Sequence, residues 1–360
     1  MSPAVPSPVS PAALIPSAPA ALIPSAPAVL ALAAPAGREA ACSRRSSRHR
    51  RSGRLLGPLA AAVACVTMLS ACGSGDDDSS AASSGSDTSA GCATDTTAGK
   101  PGVNLLPIPP AQVVVSDKGS GPAQVLAAEP DRRTPQRVTL VTTSSVASAG
   151  ARDAQTVELP LTAQMHCTDN TDLEMTLGRA TSPDVVLDDQ LRPVDGSAAG
   201  LAIGPGSSPI SLRLIPAAEA GSEARSAIEQ SLVQSLQKSV ALPTEPIAPG
   251  ARWQIRRTIS SAATVVQTID ATLRSVADGR AQIDISVDEE PVDSVFSIPG
   301  TNKTLTISRY SMSGTGSVTV DLARVLPVAG ELRMDGAREL VGADANQPLI
   351  QQTGFSMTWR

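Results

Sequence analysis

The sequence predicts an α+β fold that is mostly β: one or more curved antiparallel sheets packed on one long amphipathic helix, after a disordered leader and tether. Three observations carry this. Apolar and polar residues alternate in many short segments of 101–360, the mark of strands with one buried face. A single stretch, 217–240, repeats its apolar residues every fourth position, as one face of a helix does. Residues 73–99 are Ser, Gly, Asp, Thr and Ala apart from Cys92, so they cannot bury enough apolar surface to order themselves.

The first 37 residues repeat PAALIPSA at 11–18 and 19–26 and carry nine prolines by position 35. Proline at that density excludes a stable helix or a central strand, so 1–37 is expected to be disordered. Translation is expected to start later, near Val29. Residues 38–71 then read as an export signal. Seven arginines, from Arg38 to Arg54, precede an apolar run at 59–69. That run suits a signal core of about 7–15 residues and is shorter than the ~20 a spanning helix needs. It ends in Leu69-Ser70-Ala71-Cys72, which matches a bacterial lipoprotein signal at four positions. Cys72 is then the lipidation site and the new N-terminus, and two acyl chains suffice for stable anchoring. Arg44-Arg45 resembles a twin-arginine signal, but serines follow where that motif carries apolar residues. The protein is therefore expected to be exported and held by its lipid on the outer face of the cytoplasmic membrane.

Cleavage before Cys72 changes the charge. The whole chain has 29 basic and 34 acidic residues, a net of −5. Removing seven arginines and Glu39 leaves 22 minus 33, or −11, for 72–360. Such a chain lacks the basic footprint of a nucleic-acid binder, and anionic headgroups repel it. Residues 72–100 read as a tether with a coil span of roughly 30 Å. Two cysteines remain beyond Cys72. In an oxidising compartment Cys92 and Cys167 form either a disulfide or two free thiols.

The folded part, 101–360, reads as one domain or as two lobes at 101–241 and 242–360. Val157, Leu159, Leu161, Ala163 and Met165 alternate with polar residues, and Pro160 makes this an edge or bulged strand. Leu173, Met175 and Leu177 alternate in the same way. So do Ile283, Ile285 and Val287, then Val318, Val320 and Leu322, and finally Phe355, Met357 and Trp359. Asp278-Gly279 is a hairpin turn pair. Residues 193–208, rich in Gly, Ala and Ser, read as a mobile surface loop. The helix carries Ile228, Leu232, Leu236 and Val240 on one face, and Pro243 stops it. All five aromatics, Trp253, Phe296, Tyr310, Phe355 and Trp359, lie in the C-terminal part, which should hold the better-packed core.

Three stretches, VVVSDKGSGPAQVL (113–126), LPTEPIAPGARW (242–253) and GTGSVTVDLARVLPVAGEL (314–332), resemble stretches of actinobacterial secreted lipoproteins of unassigned function. Where that pattern leads one to expect an Arg-aromatic pair, this chain has Ala127-Ala128. A curved sheet with an internal helix is also similar in layout to half-barrel envelope lipoproteins that carry lipids. That likeness implies an apolar or amphiphilic ligand.

No catalytic, cofactor or metal residue stands out. His166 is the one histidine after Cys72. It adjoins Cys167, but strand neighbours point to opposite faces, which argues against a nucleophilic pair. Asp169, Asn170 and Asp172 lack the glycine and distal glutamate of a calcium loop. Asp188-Asp189 and Glu289-Glu290 fall in apparent turns, with no spacing that selects an acid–base pair. No phosphate-binding glycine loop or nucleophile elbow is present. The expectation is a non-catalytic, lipid-anchored envelope protein that binds an amphiphile or an envelope partner. The alternatives are a hydrolase with a triad around His166 and a purely structural or sensory module.

Overall fold

The computed structural model describes residues 91–360. The prefix, the export signal, Cys72 and residues 72–90 of the tether lie outside the described residues. The strands are β1 (Asn104–Pro107), β2 (Gln112–Asp117), β3 (Gln136–Ser148), β4 (Ala151–Met165), β5 (Asp172–Leu177), β6 (Ala198–Gly204), β7 (Ser208–Ile215), β8 (Arg252–Ser260), β9 (Thr264–Ala277), β10 (Arg280–Pro291), β11 (Val295–Ser297), β12 (Thr304–Asp321), β13 (Ala329–Val341) and β14 (Leu349–Trp359). The helices are α1 (Val185–Leu191) and α2 (Ser222–Gln237).

All these strands belong to one antiparallel sheet. Its order is β1-β7-β6-β5-β4-β3-β14-β13-β12-β10-β9-β8-β2, with β11 paired to β12 outside that path. The sheet therefore runs through both 101–241 and 242–360. Its two outermost strands are nearly adjacent in sequence. β1 pairs with β7 at one edge and β2 with β8 at the other. Only Ile108, Pro109, Pro110 and Ala111 separate them, a reach of at most about 18 Å. A thirteen-strand path whose ends are joined so closely must curl around on itself.

Glycines let β12 and β13 approach closely. A Cβ on Gly316 of β12 would lie 2.1 Å from the Glu331 carbonyl oxygen, and one on Gly336 of β13 would lie 2.1 Å from that of Ser311. Only a residue without a side chain lets the neighbouring backbone come so near. The β9–β10 hairpin turns at Asp278 and Gly279, both at positive φ, as the twist of a two-residue turn requires.

The inside of the curl is the core. Leu140, Leu159, Leu177, Ile255, Ile269, Leu273, Ile283 and Met334 are buried there with Trp253, Phe355 and Trp359. The alternation expected over 157–165, 173–177, 283–287 and 355–359 corresponds to buried positions on β4, β5, β10 and β14. α2 lies across this interior. It buries Ala224, Ala227, Ile228, Ser231, Leu232, Ser235 and Leu236. Thr142 of β3 donates to Ser231 at 2.9 Å, and Ser144 of β3 donates to Gln234 at 2.9 Å.

Several expectations need correction. The helix is not one long element over 217–240. α2 spans sixteen residues, because the chain at 217–220 closes a turn before Gly221 caps it. A second short helix, α1, is capped by the Asp184 side chain. Its apolar residues Val185 and Val186 are exposed, so no stripe announced it. Pro160 does not sit on an edge strand, since β4 lies between β3 and β5. Thr139, opposite Pro160, exchanges its backbone bonds with Arg360 instead. Pro160 therefore faces β5, which ends at Leu177, and its carbonyl accepts from Gly178 there. The missing N–H falls where that ladder stops.

The loop expected over 193–208 contains β6, a strand in the middle of one arm. Its small residues are needed for packing. A Cβ on Gly200 would lie 2.1 Å from the Thr97 hydroxyl and 2.4 Å from Arg213 Nη2. The tether also ends earlier than its composition suggests. Residues 91–100 lie on the domain, with Thr97 buried beside Arg213.

Candidate functional site

Strand phase defines the site. On β8 the inward residues are Trp253, Ile255, Arg257 and Ile259; on β9 they are Val265, Gln267 and Ile269; on β10 they are Ile285, Val287 and Glu289. Arg257, Gln267 and Glu289 stand directly opposite one another across the three strands. They form a polar row inside the curl. On one side is the main core; on the other is a smaller apolar cluster of Ile259, Val265, Phe296, Ile307 and Leu340.

The row is buried: Arg257 is 2% exposed, Gln267 0%. Lys238, the residue that ends α2, joins it at 7% exposure. A cation at a helix C-terminus is favoured by the exposed carbonyls there. Lys238 Nζ lies 3.8 Å from Glu289 and 4.7 Å from the centre of the Phe355 ring. Glu289 also accepts from Gln267 Nε2 at 3.0 Å and from the Tyr310 hydroxyl at 3.1 Å. Beyond Tyr310, Arg338 stacks over Phe296, 4.3 Å from the ring centre.

Charge is not balanced in this row. Glu289 already serves Lys238, Gln267 and Tyr310. Among the described residues Arg257 has one bond, from Nη2 to the Ser239 hydroxyl at 3.3 Å; its Nε and Nη1 have no partner there. Burial alone pulls the Arg257 pKa down to about 10. Burial also lowers that of Lys238; Glu289 opposes the shift and Arg257 adds to it. Burial pushes the Tyr310 phenol above its ordinary range, and Glu289 adds to this by repelling the phenolate.

Two apolar spaces lie near one another inside the fold, and the inner one borders the row at Lys238. An outer one, ≈ 220 Å³, is bounded by Leu126, Ala127, Ala128, Ile203, Pro243 and Val325. An inner one, ≈ 50 Å³, lies between the end of α2 and the sheet, where Leu236, Lys238, Ser239, Leu326 and Trp359 face it. They share Ser207 and Val325. The three landmark stretches meet here. Gln124 and Ile247 exchange backbone bonds, as do the segments at 118–120 and 248–249, and Glu129 donates to the Leu322 carbonyl.

The residues singled out from sequence fall elsewhere. Cys92 and Cys167 are joined in a disulfide. It ties residues 91–100 to the arm where Arg213 meets Asp172 and Glu174. His166 sits beside that disulfide in an isolated bridge with Ala93, and its ring nitrogen meets the Thr168 hydroxyl at 3.2 Å. It borders neither apolar space. Asp169 closes a turn onto Thr171, and Asp188 accepts from the Ser182 backbone. Among the described residues, no group of three or more His, Cys, Asp or Glu could hold a metal ion.

Sequence reasoning missed Arg257, Gln267 and Lys238. The signal was there for two of them: each interrupts an alternation at an inward position. Glu289 lies not in a turn but on β10, where it continues the inward phase of Ile285 and Val287. Neither a protein-family model nor a curated protein matches this chain.

Proposed function

We propose that the chain is a non-catalytic, lipid-anchored envelope protein that holds an amphiphile on the inner side of its curled sheet. Lipid on Cys72 keeps it at the membrane, and residues 72–90 give the domain reach. One observation supports the ligand reading above others. Segments far apart in sequence, at 125–128, 203–207, 243–244 and 325–326, converge on two neighbouring apolar spaces, and Lys238 faces the smaller of them. An apolar cleft with few, well-placed polar groups suits a molecule with a tail and a charged head.

The test is mass spectrometry of lipids co-purifying with protein extracted from its own membrane. The expected result is a bound amphiphile, together with a diacylated Cys72 peptide. A Cys72→Ala chain should be released from the membrane. If it stays membrane-bound at unchanged mass, the anchor assignment fails.

The smallness of the inner space, ≈ 50 Å³, favours a second reading. α2 nearly fills its place, as in a purely structural or sensory module. Repeated purification without lipid selects that reading.

A further inference from the structure

We propose that Arg257 and Lys238 form an internal oxyanion site, which takes a carboxylate or phosphate group from outside the chain. An arginine 2% exposed, with two guanidinium nitrogens lacking partners among the described residues, is costly to bury. The only carboxylate of the row is Glu289, and it is occupied by Lys238, Gln267 and Tyr310. Nη1 lies beside Nη2 at the end of the guanidinium, one of its two edges that bind a carboxylate or phosphate through two bonds; Nη2 spends one hydrogen on Ser239 and keeps a second. The inner apolar space borders the site at Lys238 and Ser239, not at Arg257 itself. Ser239, which accepts from Arg257 Nη2, and Lys238 both face that space. An anion there relieves the repulsion between the two buried cations.

The group that arrives is either the head of an amphiphile or a free small anion. The first source rests on the function proposed above; the site itself does not. The full chain is titrated with oleate, with oleyl alcohol and with inorganic phosphate, following melting temperature and tryptophan fluorescence, since Trp359 faces the inner space. The expected result is that oleate binds, oleyl alcohol binds much more weakly, and Arg257→Met weakens oleate roughly 10–100-fold.

Arg257→Met removes an uncompensated charge and keeps the volume apolar, so the unliganded variant should melt no lower than the native chain. If it does not fold, Arg257→Lys keeps the charge, loses the paired donors, and should weaken oleate by a smaller factor. If phosphate binds as well as oleate and both are lost in Arg257→Met, the oxyanion site stands and the amphiphile reading fails. If oleate and oleyl alcohol bind alike and Arg257→Met changes neither, the oxyanion site is overturned while the amphiphile reading stands. Binding of neither oleate nor phosphate overturns the site.

Discussion

Removing the disulfide should cost this domain a large part of its stability. Cys92 and Cys167 are 75 residues apart. Closing a loop of that length takes about 15 cal/mol/K from the unfolded chain, or about 4.5 kcal/mol at room temperature. The folded state should change little when both cysteines become alanine. Residues 91–100 keep other attachments: Ala93 and Cys167 pair through their backbones, and Thr97 accepts from Arg213 Nε at 2.8 Å while its own N–H donates to Glu174 at 2.9 Å. The loss therefore belongs almost wholly to the unfolded state. Urea unfolding of the native chain and the Cys92→Ala/Cys167→Ala chain measures it. The variant should lose about 3–5 kcal/mol and show a steeper denaturant dependence, because its unfolded state is more open. A loss below about 1 kcal/mol, with unchanged steepness, would refute the reasoning: the unfolded chain would already be held compact without the bridge.

Three further outcomes are expected. The chain has one tyrosine, so phenolate absorbance reports Tyr310 alone. Its folded pKa is raised, so the native state keeps the proton after the unfolded chain has lost it. Stability should be undiminished below about pH 10 and should fall as pH rises above it, with absorbance appearing only on unfolding. Gly316→Val should destabilise by about 2–3 kcal/mol in urea unfolding, because its Cβ meets the Glu331 carbonyl and a backbone must shift. Thr97→Val should cost about 1–2 kcal/mol, since it deprives Arg213 Nε of its acceptor; the same unfolding curves measure it.

Much of the fold was legible because inward residues on most strands are large and outward ones polar. Phe355, Met357 and Trp359 could not be anything but one buried face. β6 was illegible for the opposite reason. Its sequence AAGLAIG is made of residues chosen to leave room for Arg213 and Thr97, and small residues spaced for another chain segment look like a loop when read alone. Pro160 misled because a local rule about edge strands cannot see that a neighbouring strand ends beside it. The site was hidden by its own logic. Arg257, Gln267 and Glu289 sit 10 and 22 residues apart in sequence and become neighbours only once β8, β9 and β10 are in register. Each looks like an ordinary surface side chain until its phase is compared with Ile255, Ile269 and Val287.

The short link between β1 and β2 has a mechanical consequence. Both outer strands are brief, four and six residues, so each alone would grip its neighbour weakly. Joined through Pro109-Pro110, they act as a buckle on a hoop: neither can peel away without pulling on the other. Any widening of the hoop must therefore strain the buckle. Splicing a flexible glycine–serine insert between Pro109 and Pro110 would loosen the fastening while leaving every strand pair intact, which makes that dipeptide the natural place to set how readily the hoop opens.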